Sequence, residues 1–295
     1  MWFRPIWSSV GWRAFLADDL LHIPPEWAAA AEHVCRRDVH RIIVLGARDT
    51  GKSRFCRFLT ETSMQSGRST ALLDTDVGQK TIGPPACVTM SDTQGLSLAF
   101  VGTTNPVLGW QRLIEGTRRL EQRTDADCLI VNTSGLLSGP GLRLKAAKID
   151  ALQPDLLIAL GDDPALADIV NGRASLPVLH LPSSPQARRK TDGERRAARR
   201  EAFRSYFAGA EMIQFDRRMV QEADADAPLP ADLLVGLINP DGTDIGMGVV
   251  KGAAEEMIEV LSPVATGTIA RVVPGLLCLD ENFAERPVKA QPLHT

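Results

Sequence analysis

The sequence predicts an α/β fold, in which a mainly parallel sheet carries helices on both faces, followed by a small β-rich module. Short apolar runs rich in β-branched residues recur along the first two thirds of the chain, which has 295 residues. Stretches with helical spacing of their apolar residues separate most of these runs, as in right-handed β-α-β crossovers. Beyond residue 221 this alternation stops, and two strand-like runs flank an Asn-Pro-Asp-Gly turn.

The individual elements follow from local pattern. The first predicted strand, RIIVLG at 41–46, is a β-branched run closed by a glycine, as expected for a buried strand. Segment 52–67 carries Phe55 and Phe58 at helical spacing and ends in a glycine, which predicts a helix. The remaining strands are predicted at 69–79, 96–104, 124–135, 154–160 and 175–183. Further helices are predicted after Pro24 and Pro25 and at 107–123, 141–152, 163–172 and 186–207.

The chain is predicted to have three parts. They are residues 1–40, residues 41–220 and residues 221–295. The first is a Trp-rich segment expected to pack on the core, with contact between Trp2, Trp7 and Trp12 and a membrane surface as the alternative. The second is the α/β domain, including an arginine-rich lid at 186–207. The third is an acidic linker rich in alanine and proline, followed by the β-rich module.

Composition limits the classes of function. The formal net charge is −3, so nucleic-acid binding must rest on a local basic patch and not on overall charge. No apolar run approaches the roughly 20 residues that span a bilayer, so no membrane partner is predicted. The five cysteines are scattered without a pairing pattern, which predicts a reduced, cytoplasmic protein.

Residues 46–53, GARDTGKS, match the pattern G-x-x-x-x-G-K-[ST] between the first predicted strand and helix, which makes the α/β domain a P-loop NTPase. The glycines let the backbone curl so that N–H groups face phosphate oxygens, and the following helix adds its N-terminal dipole. Lys52 is expected to reach the β- and γ-phosphates, and the Ser53 hydroxyl to bind Mg²⁺. The predicted nucleotide-binding residues are Gly46, Ala47, Arg48, Asp49, Thr50, Gly51, Lys52, Ser53 and Arg54.

A second motif, LLDTDVGQ, places Asp74, Asp76 and Gln79 directly after an apolar strand. A carboxylate at the end of a strand neighbouring the P-loop strand can hold Mg²⁺ through water, or accept a proton from an attacking hydroxyl. Asp76 and, less directly, Asp74 are therefore candidate ligands of Mg²⁺. The alternative interpretation is a loop of acids that cap a helix.

A third stretch, VNTSG at 131–135, brings short donors and acceptors to another strand end through Asn132, Thr133 and Ser134. Taken alone, these residues fit an ordinary turn as well as a binding loop. The chain has no Asn-Lys-x-Asp motif of the kind that reads guanine, which disfavours a Ras-like GTPase.

A fourth stretch, residues 188–204, concentrates eight basic side chains against three acidic ones. Arg196, Arg199 and Arg200 share one face of the predicted helix. A charge run is usually a solvated face, but a run dominated by one sign repels itself unless an anion is present. Because the run follows the last strand of the α/β domain, it is expected to close over bound phosphates as a lid whose arginines stabilise a transferring phosphoryl group.

Taken together and in order, these motifs resemble the polynucleotide 5′-hydroxyl kinases, which include P-loop kinases of pre-mRNA cleavage and pre-rRNA processing and shorter prokaryotic relatives. The resemblance runs from about Trp27 to Asp280. The motifs that carry it are IPPEW, GARDTGKS, DTDVGQKTIGPP, GTTNPVLG, VNTSGLLSGPG, RRAARREAFRSYF and LVGLINPDGTDIGMGVV.

The resemblance implies transfer of the γ-phosphate of ATP, with GTP or another NTP as alternatives, to the 5′-hydroxyl end of a nucleic acid. RNA is favoured over DNA as the acceptor, and Mg²⁺ is the implied metal. Lys52 would be catalytic, Ser53 would bind phosphate and Mg²⁺, and Asp76 would orient Mg²⁺ and activate the hydroxyl.

The resemblance also implies roles on the acceptor side. Gln79 would lie near the acceptor hydroxyl. Asn132, Thr133 and Gly135 match the clasp that holds the terminal phosphate of the substrate. The catalytic lid positions before the Tyr-Phe pair match Arg195, Arg196 and Arg199.

One departure from the family pattern concerns the clasp, because Leu136 stands where eukaryotic members often carry a Trp that stacks on a substrate base. Two other classes of function stay open: a nucleotide-binding scaffold protein of RNA processing with little turnover, and a small-molecule kinase. The arginine run suits a polyanion better than an uncharged metabolite. Protein partners are not predicted.

Overall fold

The computed structural model describes residues 23–36, 39–173, 175–221, 229–254 and 256–288. Two compact units divide the chain. The first takes in the described residues up to Asp76, together with Val88–Ser97 and Ile114–Lys190. The second takes in Val77–Cys87, Leu98–Leu113 and the described residues from Thr191 onward.

The predicted division of the chain near residues 40 and 220 stays a prediction. The second unit includes two segments from the middle of the chain, so the compact units do not follow chain order. The tryptophans predicted to pack on the core, Trp2, Trp7 and Trp12, lie outside the described residues.

A mostly parallel sheet of seven strands confirms the predicted α/β fold. Its strands are β1 (Arg41–Gly46), β2 (Thr70–Asp74), β3 (Cys87–Asp92), β4 (Gly95–Phe100), β5 (Cys128–Asn132), β6 (Leu156–Leu160) and β7 (Val178–Leu181). Across the sheet the order is β4-β3-β2-β5-β1-β6-β7. The five strands from β2 to β7 along this order run parallel, and β3 is antiparallel to β2.

The apolar runs that predicted these strands are buried on both faces of the sheet. Every residue of β1, β2, β5 and β6 is buried except Arg41, which begins β1. The helices that accompany the sheet are α1 (Pro25–Arg36), α2 (Lys52–Gln65), α3 (Trp110–Glu121), α4 (Pro140–Leu152) and α5 (Pro164–Asn171). None of the helices in the described ranges is both long and apolar enough to cross a bilayer.

The strand order brings the polar strand ends to one edge. Asn132 at the end of β5 lies opposite Asp74 of β2 on one side and opposite Val44 of β1 on the other. The expectation that the acids follow a strand next to β1 is wrong, because β5 lies between β1 and β2.

An antiparallel sheet of six strands confirms the predicted β-rich module. Its strands are β8 (Glu211–Asp216), β9 (Leu233–Ile238), β10 (Asp244–Ala253), β11 (Met257–Ser262), β12 (Arg271–Leu279) and β13 (Glu285–Pro287). The order is β13-β12-β9-β10-β11-β8. The edge strand β8 precedes residue 221, so the sheet begins earlier in the chain than the sequence predicts.

Most predicted elements are shorter in the structure, for example Thr70–Asp74 where a strand is predicted at 69–79, and two of the boundaries are set by local contacts. The strand predicted to reach residue 104 ends at Phe100, because Gly102 adopts a φ of +82° and leaves the extended conformation. Gly102 also lies close to Gly275, so that a Cβ on Gly102 would be 2.8 Å from the Cα of Gly275. The arginine-rich helix α6 (Asp192–Tyr206) starts after Thr191 and not at 186. A capping box fixes this start, because Thr191 and Glu194 exchange hydrogen bonds between side chain and backbone.

The aromatic end of α6 belongs to the core of the second unit. Phe203, Tyr206 and Phe207 are buried in one apolar cluster with residues of β9, β10 and β12. The Tyr206 hydroxyl accepts a hydrogen bond from the Met247 N–H at 2.7 Å. The arginines of α6 are therefore carried on a helix that is anchored at its C-terminal end.

Trp27 anchors α1 behind the glycine loop of the first unit. Its ring is fully buried and meets Phe55 edge-on at 5.1 Å, and its Nε1 donates to the Pro182 carbonyl at 2.9 Å. We expect Trp27→Ala to lower the free energy of unfolding by about 3–5 kcal/mol, because it leaves a large cavity. Chemical denaturation measures this loss, and Trp27→Phe, which keeps a ring, should lose less. A loss below about 1 kcal/mol for Trp27→Ala would contradict this packing.

Candidate active site

The glycine loop joins β1 to α2 in a conformation that suits an anion. Gly46 ends β1, and a Cβ there would lie 2.8 Å from the Leu160 carbonyl oxygen and from Thr50 Oγ1. Asp49 and Gly51 adopt positive φ angles of 61° and 94°, so the backbone curls before α2 begins at Lys52. The residue that caps α2 is Gly51, which has no side chain to bond the amides of the first turn. These amides and the helix dipole favour a phosphate at this position.

Lys52 lies within this loop. Its side chain is 7% exposed, and its Nζ donates a hydrogen bond to the Ala47 carbonyl oxygen. Thr50 Oγ1 donates to the same carbonyl at 3.1 Å. The ammonium group is thus held inside the curl of the loop, which is the position expected for a phosphate-binding lysine.

The segment after β7 supports the glycine loop from outside. The Ser184 N–H donates to the Thr50 carbonyl at 3.2 Å, and the Lys190 N–H donates to Asp49 Oδ2 at 3.2 Å. Arg54, on the first turn of α2, donates from Nη1 to Gln186 Oε1 at 3.0 Å. The segment that leads along the chain into α6 is therefore hydrogen-bonded to the loop and to the first turn of α2.

The two candidate acids differ in burial. Asp74 is fully buried, and its Oδ1 accepts hydrogen bonds from Asn132 Nδ2 at 3.0 Å and from the Asp76 N–H at 3.1 Å. Asp76 is only partly buried. Asp74 is thus held by its neighbours, whereas Asp76 is the more accessible acid for chemistry with a ligand.

The short polar residues after β5 brace the ends of the strands. Asn132 and Thr133 are each 1% exposed. The Thr133 hydroxyl donates to the Val44 carbonyl at 2.7 Å, and the Thr75 hydroxyl donates to the Asn132 carbonyl at 2.7 Å. The predicted contact of Asn132 and Thr133 with a substrate stays a prediction.

Gly135 brings the loop after β5 against the glycine loop. A Cβ on Gly135 would lie 2.6 Å from the backbone N and the Cα of Arg48. Only glycine allows this approach without a shift of one of the two backbones. The third motif is thus packed directly on the first.

Two buried lysines of α4 were not predicted as site residues. Lys145 and Lys148 are each 1% exposed, in a helix whose other buried side chains include Leu144, Ile149 and Leu152. Lysine in an amphipathic helix usually extends to solvent, so the sequence pattern alone does not predict their burial. Their spacing from the apolar residues, one helical turn, is the sequence signal that could have revealed them.

Burial lowers the pKa of Lys145 from 10.5 to about 7, and the positive charges of Lys148 and Lys52 contribute in the same direction. The negative charge of Asp76 opposes this shift. The α4 lysines, the P-loop lysine and the accessible acid are therefore close enough to influence one another electrostatically.

This pKa shift predicts a pH dependence of stability. Between about pH 7 and pH 10 the folded chain has lost the Lys145 proton while the unfolded chain keeps it, so the free energy of unfolding should rise with pH. Lys145→Met should remove up to roughly 4 kcal/mol of this rise, and below about pH 7 the contribution to the slope vanishes. Urea denaturation of both proteins across this range measures the difference, and equal slopes would contradict the shift.

The remaining predicted site residues lie in the second unit. Gln79 donates from Nε2 to the Gly78 carbonyl at 3.0 Å and to the Arg195 carbonyl in α6 at 3.3 Å. Arg199 donates from Nε to Glu285 Oε2 at 2.6 Å, and Thr104 bonds the other oxygen of this carboxylate. Arg196 is exposed. Gln79 is thus hydrogen-bonded to the arginine helix, and Arg199 of that helix forms an ion pair with Glu285.

The residues predicted to hold Mg²⁺ form a suitable set of donors. Ser53 offers a hydroxyl and Asp74 and Asp76 offer carboxylates, and oxygen ligands of this kind are those that Mg²⁺ prefers. Within the described part of the chain, no group of three or more His, Cys, Asp or Glu side chains could hold a metal.

The glycine loop between β1 and α2, set in a mostly parallel sheet, defines a P-loop NTPase. Residues 46–209 match the family model described as mRNA cleavage and polyadenylation factor CLP1 P-loop, which is more than half of the chain. The chain belongs to this family, and the family prediction from the sequence motifs is confirmed.

Relatives of known name are similar over most of their length. The polyribonucleotide 5′-hydroxyl-kinase of Pyrococcus furiosus is 30% identical, over 76% of this chain and 83% of the relative. That of Methanocaldococcus jannaschii is 27% identical, over 83% of this chain and 88% of the relative. A solved structure of a Clp1p–Pcf11p complex superposes with a TM-score of 0.65 at 12% identity, covering 84% of this chain and 76% of that chain. At this identity the structural likeness shows the fold.

Proposed function

We propose that this chain is a polynucleotide kinase, which transfers the γ-phosphoryl group of ATP to the 5′-hydroxyl end of RNA. The observation that carries the proposal is the anion-binding loop with Lys52 inside it, in a fold whose archaeal relatives are named as polyribonucleotide 5′-hydroxyl-kinases. The P-loop supports ATP as the phosphoryl donor, and the named relatives support the 5′-hydroxyl end of RNA as the acceptor.

The donor end of the reaction follows from the P-loop. The amides of residues 47–53 and the dipole of α2 bind the phosphates of ATP, and Lys52 leaves the Ala47 carbonyl to pair with the β- and γ-phosphates. GTP or another NTP would fit the same phosphate contacts. Ser53 and Asp76 and, less directly, Asp74 would hold Mg²⁺, which neutralises charge on the phosphates when it is bound.

The transfer itself is a direct in-line displacement. The 5′ oxygen of the acceptor forms a bond to the γ-phosphorus while the bond from the γ-phosphorus to the oxygen of the ADP leaving group breaks. Asp76 orients the attacking hydroxyl and accepts its proton. Arg195, Arg196 and Arg199 stabilise the charge of the transferring group, and for Arg199 this requires exchange of Glu285 for a phosphoryl oxygen.

The acceptor end rests on the residues that follow β2 and β5. Gln79 lies near the acceptor hydroxyl, and Asn132, Thr133 and Gly135 form the clasp for the terminal phosphate. Leu136 offers no ring on which a base could stack, so the clasp contacts mainly the phosphate backbone of the nucleic acid and not its bases. The cytoplasmic location predicted from the cysteines stays a prediction.

Label transfer tests the proposal. The chain is incubated with γ-labelled ATP and 5′-hydroxyl oligonucleotides of RNA and DNA, with 5′-phosphorylated RNA as the matched control. We expect label on 5′-hydroxyl RNA and none on the control. A chain that binds ATP but labels neither hydroxyl acceptor would be a nucleotide-binding scaffold, and label on small alcohols alone would indicate a small-molecule kinase.

A further inference from the structure

The ammonium groups of the two buried α4 lysines bond the backbones of two different loops. Lys145 Nζ donates to the carbonyl oxygens of Ser134 at 2.6 Å and Leu136 at 3.0 Å, both in the loop after β5. Lys148 Nζ donates to Thr75 Oγ1 at 2.8 Å and to the Thr75 carbonyl at 3.1 Å, in the loop after β2. A spacing of three residues places both lysines on one side of the helix.

Packing alone does not explain these lysines. Moving an ammonium group out of water is costly, and even well-paired buried charges are often no more stabilising than apolar side chains of similar volume. A methionine at either position would fill the same space under α4 without that cost. The lysines supply what methionine lacks, which is a set of hydrogen bonds to defined backbone atoms.

The two loops that the lysines hold carry candidate site residues. Thr75, bonded by Lys148, stands between Asp74 and Asp76. The loop bonded by Lys145 contains Gly135, whose backbone packs on that of Arg48 in the glycine loop. A loosened α4 contact would therefore move the accessible acid, or move the loop after β5 away from the P-loop.

The charges of the lysines point to the same region. Lys52 and Lys148 lower the pKa of Lys145 and Asp76 raises it, so these four groups share one electrostatic environment. Buried positive charge close to the accessible acid favours a phosphoryl group that gains negative charge during transfer, and the contribution of Lys145 to it is present below about pH 7.

We propose that Lys145 and Lys148 are positioning residues of the kinase reaction, which fix the loops after β2 and β5 beside the P-loop. This inference rests on the proposed kinase function. The lysines act through Asp76 and through the loop that contains Gly135, and they leave the binding of ATP to the P-loop.

Kinetics with separate measurement of nucleotide binding test this role. For Lys145→Met and Lys148→Met we expect kcat for label transfer to fall about 10- to 100-fold, because a misplacement on the order of 1 Å has that effect. The Kd for ATP should stay within about threefold of the wild-type value, since the P-loop residues are unchanged. Arg143→Met, on the exposed side of the same helix, is the matched control and should keep the wild-type kcat.

A second variant tests the same contact without replacing a buried lysine, in case the lysine variants do not fold. Thr75→Val keeps both lysines and removes the hydroxyl that Lys148 bonds. We expect it to lower kcat severalfold, and the loss in combination with Lys148→Met to be smaller than the product of the two single losses, because both changes remove the bond between Lys148 and the Thr75 hydroxyl whereas only Thr75→Val removes the bond to the Asn132 carbonyl. Thermal unfolding at one pH shows which variants are folded.

Each result has a defined meaning. Folded variants that transfer label at the wild-type rate would overturn the proposal, and so would a parallel loss of kcat and ATP affinity, which would assign the lysines to the P-loop. Amide hydrogen exchange of residues 75–76 and 133–136 gives a readout that needs no kinase activity. If amide exchange there is faster in the lysine variants but the wild type transfers no label, the kinase function is refuted. The contacts between the two lysines and the two loops would in that case still be supported.

Discussion

We expect Lys52→Ala to lower label transfer to 5′-hydroxyl RNA by a factor of roughly 10²–10³, because it removes the cation that stabilises the negative charge of the γ-phosphoryl group during transfer. The ammonium group of Lys52 already lies inside the loop, bonded to the Ala47 carbonyl. Steady-state rates at saturating ATP measure the chemical loss. Titration of ATP measures the accompanying loss of affinity.

The control for this variant is a lysine of the second unit. Lys251 pairs with Asp232 at 2.7 Å and should tolerate alanine with no change in rate. Transfer by Lys52→Ala at more than about a tenth of the wild-type rate would contradict the assignment of the P-loop as the donor site.

We expect Asp76→Asn to lower kcat by a factor of roughly 10²–10⁴, the range for loss of a general base. Of the two acids, Asp76 is the one with an accessible carboxylate, because Asp74 is fully buried and receives hydrogen bonds from Asn132 and Asp76. The amide keeps the volume of the side chain and cannot accept the proton. Rates under single-turnover conditions isolate this step from product release.

Asp76→Asn also separates the roles of the acids. ATP affinity in the absence of Mg²⁺ should be unchanged, and Glu115→Gln, an exposed acid of α3, should behave as the wild type. A full rate for Asp76→Asn together with a large loss for Asp74→Asn would reverse the proposed roles of the two acids.

The sequence predicts the parts of the site that depend on local pattern. The glycine loop needs positive φ angles and close backbone approaches at fixed positions, so its motif is specific. The structure shows a positive φ at Gly51 and a close backbone approach at Gly46. The buried parallel strands are continuous apolar runs for the same reason, because both of their faces are covered. The order of the motifs was sufficient to indicate the family.

The remaining features depend on contacts between distant parts of the chain. A threonine at a strand end can face a ligand or the neighbouring strand, and only the fold shows that Thr133 bonds Val44. Strands β3 and β8 mix polar and apolar residues, so they lacked the pattern of a buried strand. Lys145 and Lys148 look like solvent-facing residues until α4 is placed under the two loops.

The central claim is that the phosphoryl group bound by the P-loop goes to a 5′-hydroxyl end. The most direct measurement follows γ-labelled ATP with 5′-hydroxyl RNA and 5′-phosphorylated RNA of the same sequence, using the wild type and Lys52→Ala. The kinase assignment predicts label at the 5′ end of the hydroxyl RNA only, at a rate that Lys52→Ala lowers by a factor of roughly 10²–10³. Tight ATP binding by the wild type without label on either RNA would contradict it.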